Sequence, residues 1–166
     1  MILRVSAAPL LDEEHARFIL LPGISMTASS RGADNRQELG RVHGCRVAAD
    51  RRRVTVLLPG EQYPGLIEAL RASRALAVVF SQPTTHRTIQ LKGTDALVEP
   101  LAPGDVELAA QATDQFAAGL GALGYDETMV RTAVWFDAAA LVAVTFTPCA
   151  AFQQTPGPRA GAPLAA

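Results

Sequence analysis

The connections between strand-like segments constrain this fold more than any other sequence feature, because most of them are too short to hold a helix. Strands of a parallel sheet need a crossover of about a dozen residues or more, usually a helix, between them. Short connections therefore favour antiparallel pairing and argue against a parallel α/β sandwich. About six segments have strand character, namely residues 24–30, 39–48, 54–58, 75–80, 86–99 and 141–146.

Periodicity and turn residues identify the individual strands. Residues 24–30 alternate apolar and mostly hydroxyl side chains, which is typical of a half-buried strand. Residues 50–53 form a polar turn between two such segments and predict a hairpin. The arginines of this turn are expected to be a solvated tip rather than a nucleic-acid contact. Residues 75–80 are apolar on both faces, which predicts a central strand covered on both sides.

Helices are predicted before, within and after the strand-rich part of the chain. Residues 12–21 begin with acidic side chains, which the N-terminal end of a helix dipole favours. Apolar residues at i, i+3, i+4 and i+7 from Tyr63 to Leu70 indicate one buried helical face. Two more helices are predicted over residues 108–123 and 126–134. The fold class is therefore mainly β (α+β), a six-stranded barrel with flanking helices.

Composition is that of a soluble protein with one domain. The 166 residues, with 49% hydrophobic and 19% charged, suffice for one hydrophobic core. A formal net charge of −1 gives no general attraction to nucleic acid or to an anionic membrane. Because no long apolar run or secretory leader is recognisable, a cytoplasmic protein is expected. We expect one domain over residues 1–152 and an irregular tail over residues 153–166.

Familiar catalytic signatures do not occur in the sequence. The three histidines lack the spacing of zinc ligands, and no HExxH, GxSxG, GxxxxGK or GxGxxG motif is found. Cys45 and Cys149 lie far apart and are expected to be free thiols in a reducing compartment. Cys45 has cationic neighbours, yet a buried structural thiol is the expected state.

A row of polar residues in one predicted strand is the first candidate site. Alternate residues of a strand project to one face, and the opposite face here carries Ile89 and Leu91. Hydrogen-bonding groups in a row can hold a heteroaromatic ring or its phosphate. The alternative is the solvated face of an edge strand. The polar row comprises His86, Thr88, Gln90 and Lys92.

A pair of arginines flanked by glycines is the second candidate site. Arg41 and Arg46 supply forked donors that suit a phosphate. Gly40 and Gly44 lack side chains and would let such a group approach the backbone closely. The alternative is that both arginines lie on the surface in exposed ion pairs, which contribute little.

Four segments between residues 24 and 101 resemble the split-barrel flavoproteins related to pyridoxamine 5'-phosphate oxidase. They are ISMTASSR (24–31), GRVHGCRV (40–47), ALAVVF (75–80) and RTIQLKG (87–93). The last of these is similar to the strand that runs beside the flavin ring in that family. Residues 152–161 also resemble the tail of short bacterial members.

The resemblance implies a split β-barrel that forms a homodimer, with two equivalent FMN sites at the interface. Arg41 would contact the flavin or its phosphate, and the polar row from His86 to Lys92 would line the pocket. Such proteins transfer a hydride or electrons to a small-molecule substrate, and the cofactor supplies the reactivity. A nicotinamide or a deazaflavin would be the electron donor.

Departures from the family pattern define the alternative function. Residues 58–64 (LPGEQYP) contain no lysine, whereas family enzymes commonly hold the phosphate with a Ser or Thr and a Lys there. Thr88 replaces the glutamine that contacts the flavin, and the C-terminal Arg and His pattern of the oxidase is not recognisable. Pyridoxamine-phosphate oxidase activity is therefore not expected. The alternative is a non-catalytic barrel that binds a small molecule or haem, or acts as a dimeric interaction protein, so an enzyme and a binding protein both remain open.

Overall fold

A computed structural model describes residues 9–164, and the strands in this part of the chain form two antiparallel sheets. Four α-helices flank the sheets: α1 (Glu13–Ile19), α2 (Pro64–Ser73), α3 (Asp105–Ala122) and α4 (Glu127–Ala133). The strands in this part of the chain are β1 (Ser25–Arg31), β2 (Gln37–Val42), β3 (Gly44–Val47), β4 (Val54–Pro59), β5 (Leu76–Ser81), β6 (Thr88–Gly93), β7 (Leu97–Glu99), β8 (Leu141–Phe146) and β9 (Ala150–Gln153).

The chain passes between two separate sheets at tight corners. One sheet has the order β2-β1-β5-β6-β9, and the other has the order β3-β4-β8-β7. Only His43 separates β2 from β3, so the chain crosses between the sheets at that residue. The pairs β6 and β7, and β8 and β9, cross in the same way within a few residues. The predicted α+β barrel with flanking helices is confirmed.

The strand count differs from the prediction because the corners divide two of the predicted strands. Residues 39–48 form β2 and β3, and residues 86–99 form β6 and β7. One further strand, β9, was not predicted at all, since its four residues carry no clear alternation. Apolar alternation continues through a corner, so sequence periodicity gives no sign that the chain has changed sheets.

The main hydrophobic core lies between the facing sheets, and two smaller clusters include residues of α3. Every second residue of β5 and β6 points into the main core, and β4 is buried along its whole length. Each buried Leu, Ile, Val or Phe contributes about 1.5–3 kcal/mol relative to an exposed position. Core residues that are almost completely inaccessible include Phe18, Val54, Val56, Leu58, Phe80, Ile89, Leu91, Val144 and Phe146.

Strand β5 is central, as predicted, but only one of its faces is fully covered. It lies in the middle of the five-stranded sheet between β1 and β6. Leu76, Val78 and Phe80 are buried in the core, whereas Ala77 and Val79 are half-buried on the other face. The prediction of cover on both faces was therefore wrong. The outer face of this sheet is partly accessible to solvent at β5.

Both glycines of the arginine-containing strands face other parts of the protein. A Cβ atom at Gly40 would lie 2.7 Å from Leu66 Cδ2 and 2.9 Å from Tyr63 Cγ, so α2 packs directly on this backbone. A Cβ atom at Gly44 would lie 2.9 Å from Leu57 Cδ1 and 3.4 Å from Ala109 Cα, beside α3. The two glycines accommodate helices, and the interpretation that they open the backbone to a phosphate is wrong.

Replacement of Gly40 by alanine is expected to lower the free energy of unfolding by about 1–2 kcal/mol, because the added methyl group overpacks the contact with α2. Urea denaturation followed by circular dichroism measures this difference. Gly119→Ala is the matched control, since no atom lies within 4 Å of its Cβ position in α3. That control should gain about 0.5–1 kcal/mol from the higher helix propensity of alanine. Equal stability of the two variants would contradict the close packing of α2.

The end of the described chain folds back along the sheet edge. Gln153 belongs to β9, and Phe152 forms an isolated bridge with Pro163. The Leu164 N–H donates to the Ala151 carbonyl at 2.9 Å, and the Leu164 side chain packs against the core. Turns connect these two arms. The division of the chain at residue 152 stays a prediction.

Candidate functional site on the outer face of the five-stranded sheet

Three members of the predicted polar row lie together on β6. Thr88, Gln90 and Lys92 point to the outer face of the five-stranded sheet, and they alternate with the core residues Ile89 and Leu91. Thr88 and Gln90 are half-buried, and Lys92 is exposed. The sheet therefore presents hydrogen-bonding groups along one line of its outer face.

His86 does not belong to this row, because β6 begins two residues later. His86 lies in the turn between β5 and β6, with a φ of 59° in the left-handed region. Its N–H donates to the Gln82 carbonyl at 2.9 Å and closes the turn. The prediction that His86 projects from the strand beside Thr88 was wrong, since strand alternation requires extended backbone and residue 86 has a left-handed conformation.

Cross-strand registry brings Arg41 into line with Gln90. Arg41 of β2 is opposite Thr27 of β1, Thr27 is opposite Val79 of β5, and Val79 is opposite Gln90 of β6. Adjacent strands are about 4.8 Å apart, so this row is about 14 Å long from Arg41 to Gln90. Two candidate residues that are 49 positions apart in the sequence therefore bound one continuous surface.

The Arg41 guanidinium is held without a carboxylate. Its Cζ atom lies 4.2 Å from the centre of the Phe116 ring, which comes from α3. Burial lowers the pKa of Arg41 from its ordinary value, and the nearby Tyr63 opposes that shift. A guanidinium remains protonated in proteins, so a half-buried cation stays here. Among residues 9–164, no hydrogen bond or ion pair of the Arg41 side chain is formed.

The rest of the outer face mixes apolar and polar groups. Phe152 of β9 is opposite Gln90, and the Lys92 ammonium lies 5.0 Å from the centre of its ring. Leu39 of β2 is 56% exposed on the same face. Val79 lies between these groups and is half-buried. A planar molecule on this surface would meet apolar side chains below it and polar groups at its edges.

Helix α3 borders the face and is fixed to the barrel by His43. Nδ1 of the His43 ring lies 3.1 Å from the hydroxyl of Thr113 in α3, and its ring centre lies 4.3 Å from that of Phe136. Burial, assisted by the positive charge of Arg41, lowers the pKa of His43 to about 4. The imidazole is therefore neutral at pH 7 and acts as a structural link between the corner of the barrel and α3.

A buried ion pair fixes the other end of α3. Asp105, the first residue of the helix, is 1% exposed, and its carboxylate accepts from Arg46 Nε at 2.7 Å and Nη2 at 3.0 Å. The same carboxylate accepts from the Ala102 N–H at 2.8 Å. Arg46 is thus paired on the four-stranded sheet and lies apart from Arg41. The structure does not bring the two arginines together as one anion site.

The remaining sequence candidates have structural roles. Cys45 and Cys149 are both free, as predicted. Burial raises the pKa of the Cys45 thiol to about 12, which confirms a buried and unreactive group. Residues 51–53 lie in the turn between β3 and β4, so the predicted hairpin is also confirmed. Arg51 Nε donates to the Leu11 carbonyl at 3.3 Å.

Two further features bear on function. Across residues 9–164, no group of three or more His, Cys, Asp or Glu side chains converges to hold a metal ion. In the same part of the chain, no helix combines the length and apolar character needed to cross a membrane.

Phe116 and Phe152 were missed as site residues. Phe116 contacts Arg41, and Phe152 contacts Lys92, across 75 and 60 positions of sequence. Phe116 has the helical spacing of an ordinary core residue, and Phe152 lies in a strand that was not predicted. No local signal distinguishes such residues, because their role depends on contacts between distant segments.

Comparisons with known proteins show what this arrangement resembles. No protein-family model and no curated protein sequence matches the chain. HupZ of Group A Streptococcus is 12% identical and superposes with a TM-score of 0.53 over 90% of this chain and 98% of its own. The conserved hypothetical protein Rv2991 of Mycobacterium tuberculosis is 14% identical, with a TM-score of 0.51 over 88% and 86%.

A third solved structure connects the fold to a named family. A proposed pyridoxamine 5'-phosphate oxidase of Lactobacillus delbrueckii is 14% identical, with a TM-score of 0.50 over 86% of this chain and 93% of its own. At these identities the likeness establishes architecture, and it agrees with the resemblance seen in residues 24–101. The chain has the split-barrel fold of the pyridoxamine 5'-phosphate oxidase-related proteins.

Proposed function

We propose that the outer face of the five-stranded sheet binds FMN and that the chain is an oxidoreductase-like flavoprotein. The observation that carries this proposal is the Arg41 guanidinium, which is half-buried over Phe116 and donates to no carboxylate among the described residues. A partly desolvated cation of this kind is stabilised by an anion that offers several oxygen acceptors. The phosphate of FMN is such an anion.

The rest of the row suits the flavin ring. The Gln90 amide supplies both donors and an acceptor, and the Lys92 ammonium supplies a cation at the edge of the same face. Val79 and Phe152 lie on either side of Gln90 and offer apolar surface there. Thr88 is less available, because its hydroxyl donates to the His86 carbonyl at 3.0 Å and lies 2.7 Å from the Ser81 hydroxyl. Thr88 would therefore position the turn, and His86 would lie at the periphery.

A homodimer would complete the site. Leu39, Val79 and Phe152 leave apolar surface on an otherwise polar face, and a second copy of the chain would cover it. Cover also excludes water, which strengthens the interaction of Arg41 and Lys92 with bound anionic groups. The homodimer is therefore part of this proposal.

FMN, when bound, would supply hydride or electron transfer to a small-molecule substrate. The residues of this chain would bind and orient the FMN molecule. Arg41 would hold the phosphate, Gln90 would orient the ring edge, and Lys92 would favour negative charge near the ring. A nicotinamide or a deazaflavin would serve as the electron donor.

Purified protein mixed with FMN and separated by size exclusion is expected to retain a flavin absorbance spectrum at about one flavin per subunit. Arg41→Ala should weaken FMN binding tenfold or more, since a charge-assisted contact to phosphate contributes about 1.5–3 kcal/mol. Arg31→Ala is the matched control, because Arg31 is an exposed residue at the far end of β1. Isothermal titration of folded variants gives the affinities, and equal affinity of Arg41→Ala and wild type would contradict the role of Arg41.

The same absorbance experiment distinguishes the FMN-binding protein from the alternative, a non-catalytic barrel. Residues 58–64 contain no lysine, and the short turn Gly60–Gln62 adds Glu61, so this segment would repel a phosphate. A colourless protein that does not retain FMN would favour the non-catalytic barrel. A sharp haem band would favour haem binding, and the Arg41 site would then be assigned to a haem carboxylate.

A further inference from the structure

Phe116 also lines a groove next to the five-stranded sheet. The groove has a volume of about 550 Å³ and lies between the β5–β6 turn and the C-terminal end of α3. Volumes of a few hundred to about a thousand Å³ are typical of small-molecule sites. The groove is lined by Ser81 and His86 on the strand side, and by Phe116 and Tyr125 on the helix side.

The helix side of the groove is apolar and accessible. Leu120 and Leu123 lie beside Phe116 and Tyr125, and Leu123 and Tyr125 are 48% and 56% exposed. Exposed large apolar side chains that converge on one groove, rather than being scattered, indicate a binding surface. Tyr125 contributes an exposed ring, and Phe116, which is 7% exposed, contributes a small accessible part of its ring. These aromatic groups favour a planar ring as the occupant.

The side chains that line the groove also bear on the charge of the ligand. Among the described residues that line the groove, none is Asp, Glu, Lys or Arg. An ion in this groove would lose part of its hydration and would meet no Asp, Glu, Lys or Arg side chain of the lining. The groove therefore suits a neutral ligand, in contrast to the cationic surface around Arg41.

A chain of hydroxyl groups determines what the strand side can offer. The Thr88 hydroxyl must donate to the His86 carbonyl at 3.0 Å, because a carbonyl oxygen can only accept. The 2.7 Å contact between the Ser81 and Thr88 hydroxyls then requires Ser81 to donate to Thr88. Ser81 has no proton left, so its oxygen faces the groove as an acceptor.

The turn that carries His86 holds this arrangement in place. His86 has a φ of 59°, an uncommon backbone state for a residue other than glycine. Its carbonyl is the acceptor that fixes the Thr88 hydroxyl and, through it, the orientation of Ser81. The left-handed backbone at His86 thus determines that the Ser81 oxygen faces the groove as an acceptor.

We propose that this groove is a binding site for a neutral, planar aromatic molecule that carries an N–H or O–H donor directed at Ser81. The apolar wall from α3 would cover one face of the ring, and Ser81 would accept its hydrogen bond. The proposal does not require FMN or the contacts of Gln90 and Lys92, although Phe116 lines the groove and also contacts Arg41.

Indole and 1-methylindole form the pair of probes that tests the proposal, because they have similar shapes and differ in the N–H donor. Titration of the ¹⁵N-labelled full chain with indole should give saturable chemical-shift changes at Ser81, Phe116 and Tyr125. Binding of 1-methylindole should be about fivefold weaker, as expected for loss of one neutral hydrogen bond. Ser81→Ala should weaken indole to the level of 1-methylindole and leave 1-methylindole unchanged.

Ser29→Ala is the matched control, since Ser29 is a half-buried serine on β1 that lies outside the groove. It should bind both probes as the wild type does. Shift changes that do not saturate, or that fall elsewhere on the protein, would overturn the site. Equal binding of indole and 1-methylindole would overturn the role of Ser81. Because FMN is absent from this titration, its outcome is separate from that of the flavin experiment.

Discussion

Asp105→Asn is expected to lower the free energy of unfolding by about 3 kcal/mol, because it leaves a bidentate ion pair half-broken at a buried position. Asp105 is 1% exposed and accepts from two nitrogen atoms of Arg46. An asparagine oxygen can replace only one of these acceptors, and its amide group would place N–H donors against a guanidinium. The 41% exposure of the Arg46 side chain limits the loss, since water can solvate that cation.

Urea denaturation of the folded chain at pH 7 measures this effect through the transition midpoint. Asp34→Asn is the matched control, because Asp34 pairs with Arg36 at 3.4 Å on the exposed surface. That control should change the stability by less than about 0.5 kcal/mol. A similar small effect at Asp105 would show that the pair does not hold α3 on the barrel. Loss of α3 packing would also displace Phe116 from Arg41.

The wild-type protein is expected to lose about 2 kcal/mol of stability between pH 7.5 and pH 4.5 through His43 alone. Burial first, and then the charge of Arg41, lower the pKa of His43 from 6.5 to about 4. Between these two values the unfolded chain binds a proton that the folded chain does not bind. Stability therefore falls as the pH decreases through this window, and the contribution is fully present above pH 6.5.

Unfolding curves of wild type and His43→Asn across this pH range isolate the effect, since carboxylate titrations are common to both proteins. The variant keeps a polar group near Thr113 and cannot titrate, so its stability should fall less on acidification by about 2 kcal/mol. His86→Asn is the control, because His86 is exposed and asparagine tolerates its left-handed backbone. Parallel pH profiles for wild type and His43→Asn would contradict the lowered pKa of His43.

Local sequence patterns predicted the strands that carry the site better than they predicted which residues form it. Alternation in residues 88–93 correctly indicated which side chains of β6 leave the core. It failed at His86, because a turn residue with positive φ follows no strand alternation. The glycines beside Arg41 suggested an open backbone, yet Gly40 is enclosed by Leu66 and Tyr63 from α2. A glycine selected for packing and a glycine selected for ligand approach look the same in a sequence.

The sequence by itself determined that this chain forms an antiparallel, mainly β barrel with flanking helices, because short connections and apolar alternation are local properties. Only the tertiary structure decided which polar residues share a surface. Strand registry aligned Arg41 with Gln90, and α3 placed Phe116 under the guanidinium of Arg41 while Asp105 paired with Arg46. Contacts between distant segments depend on how whole elements pack, and that packing is a property of the complete core rather than of any one segment.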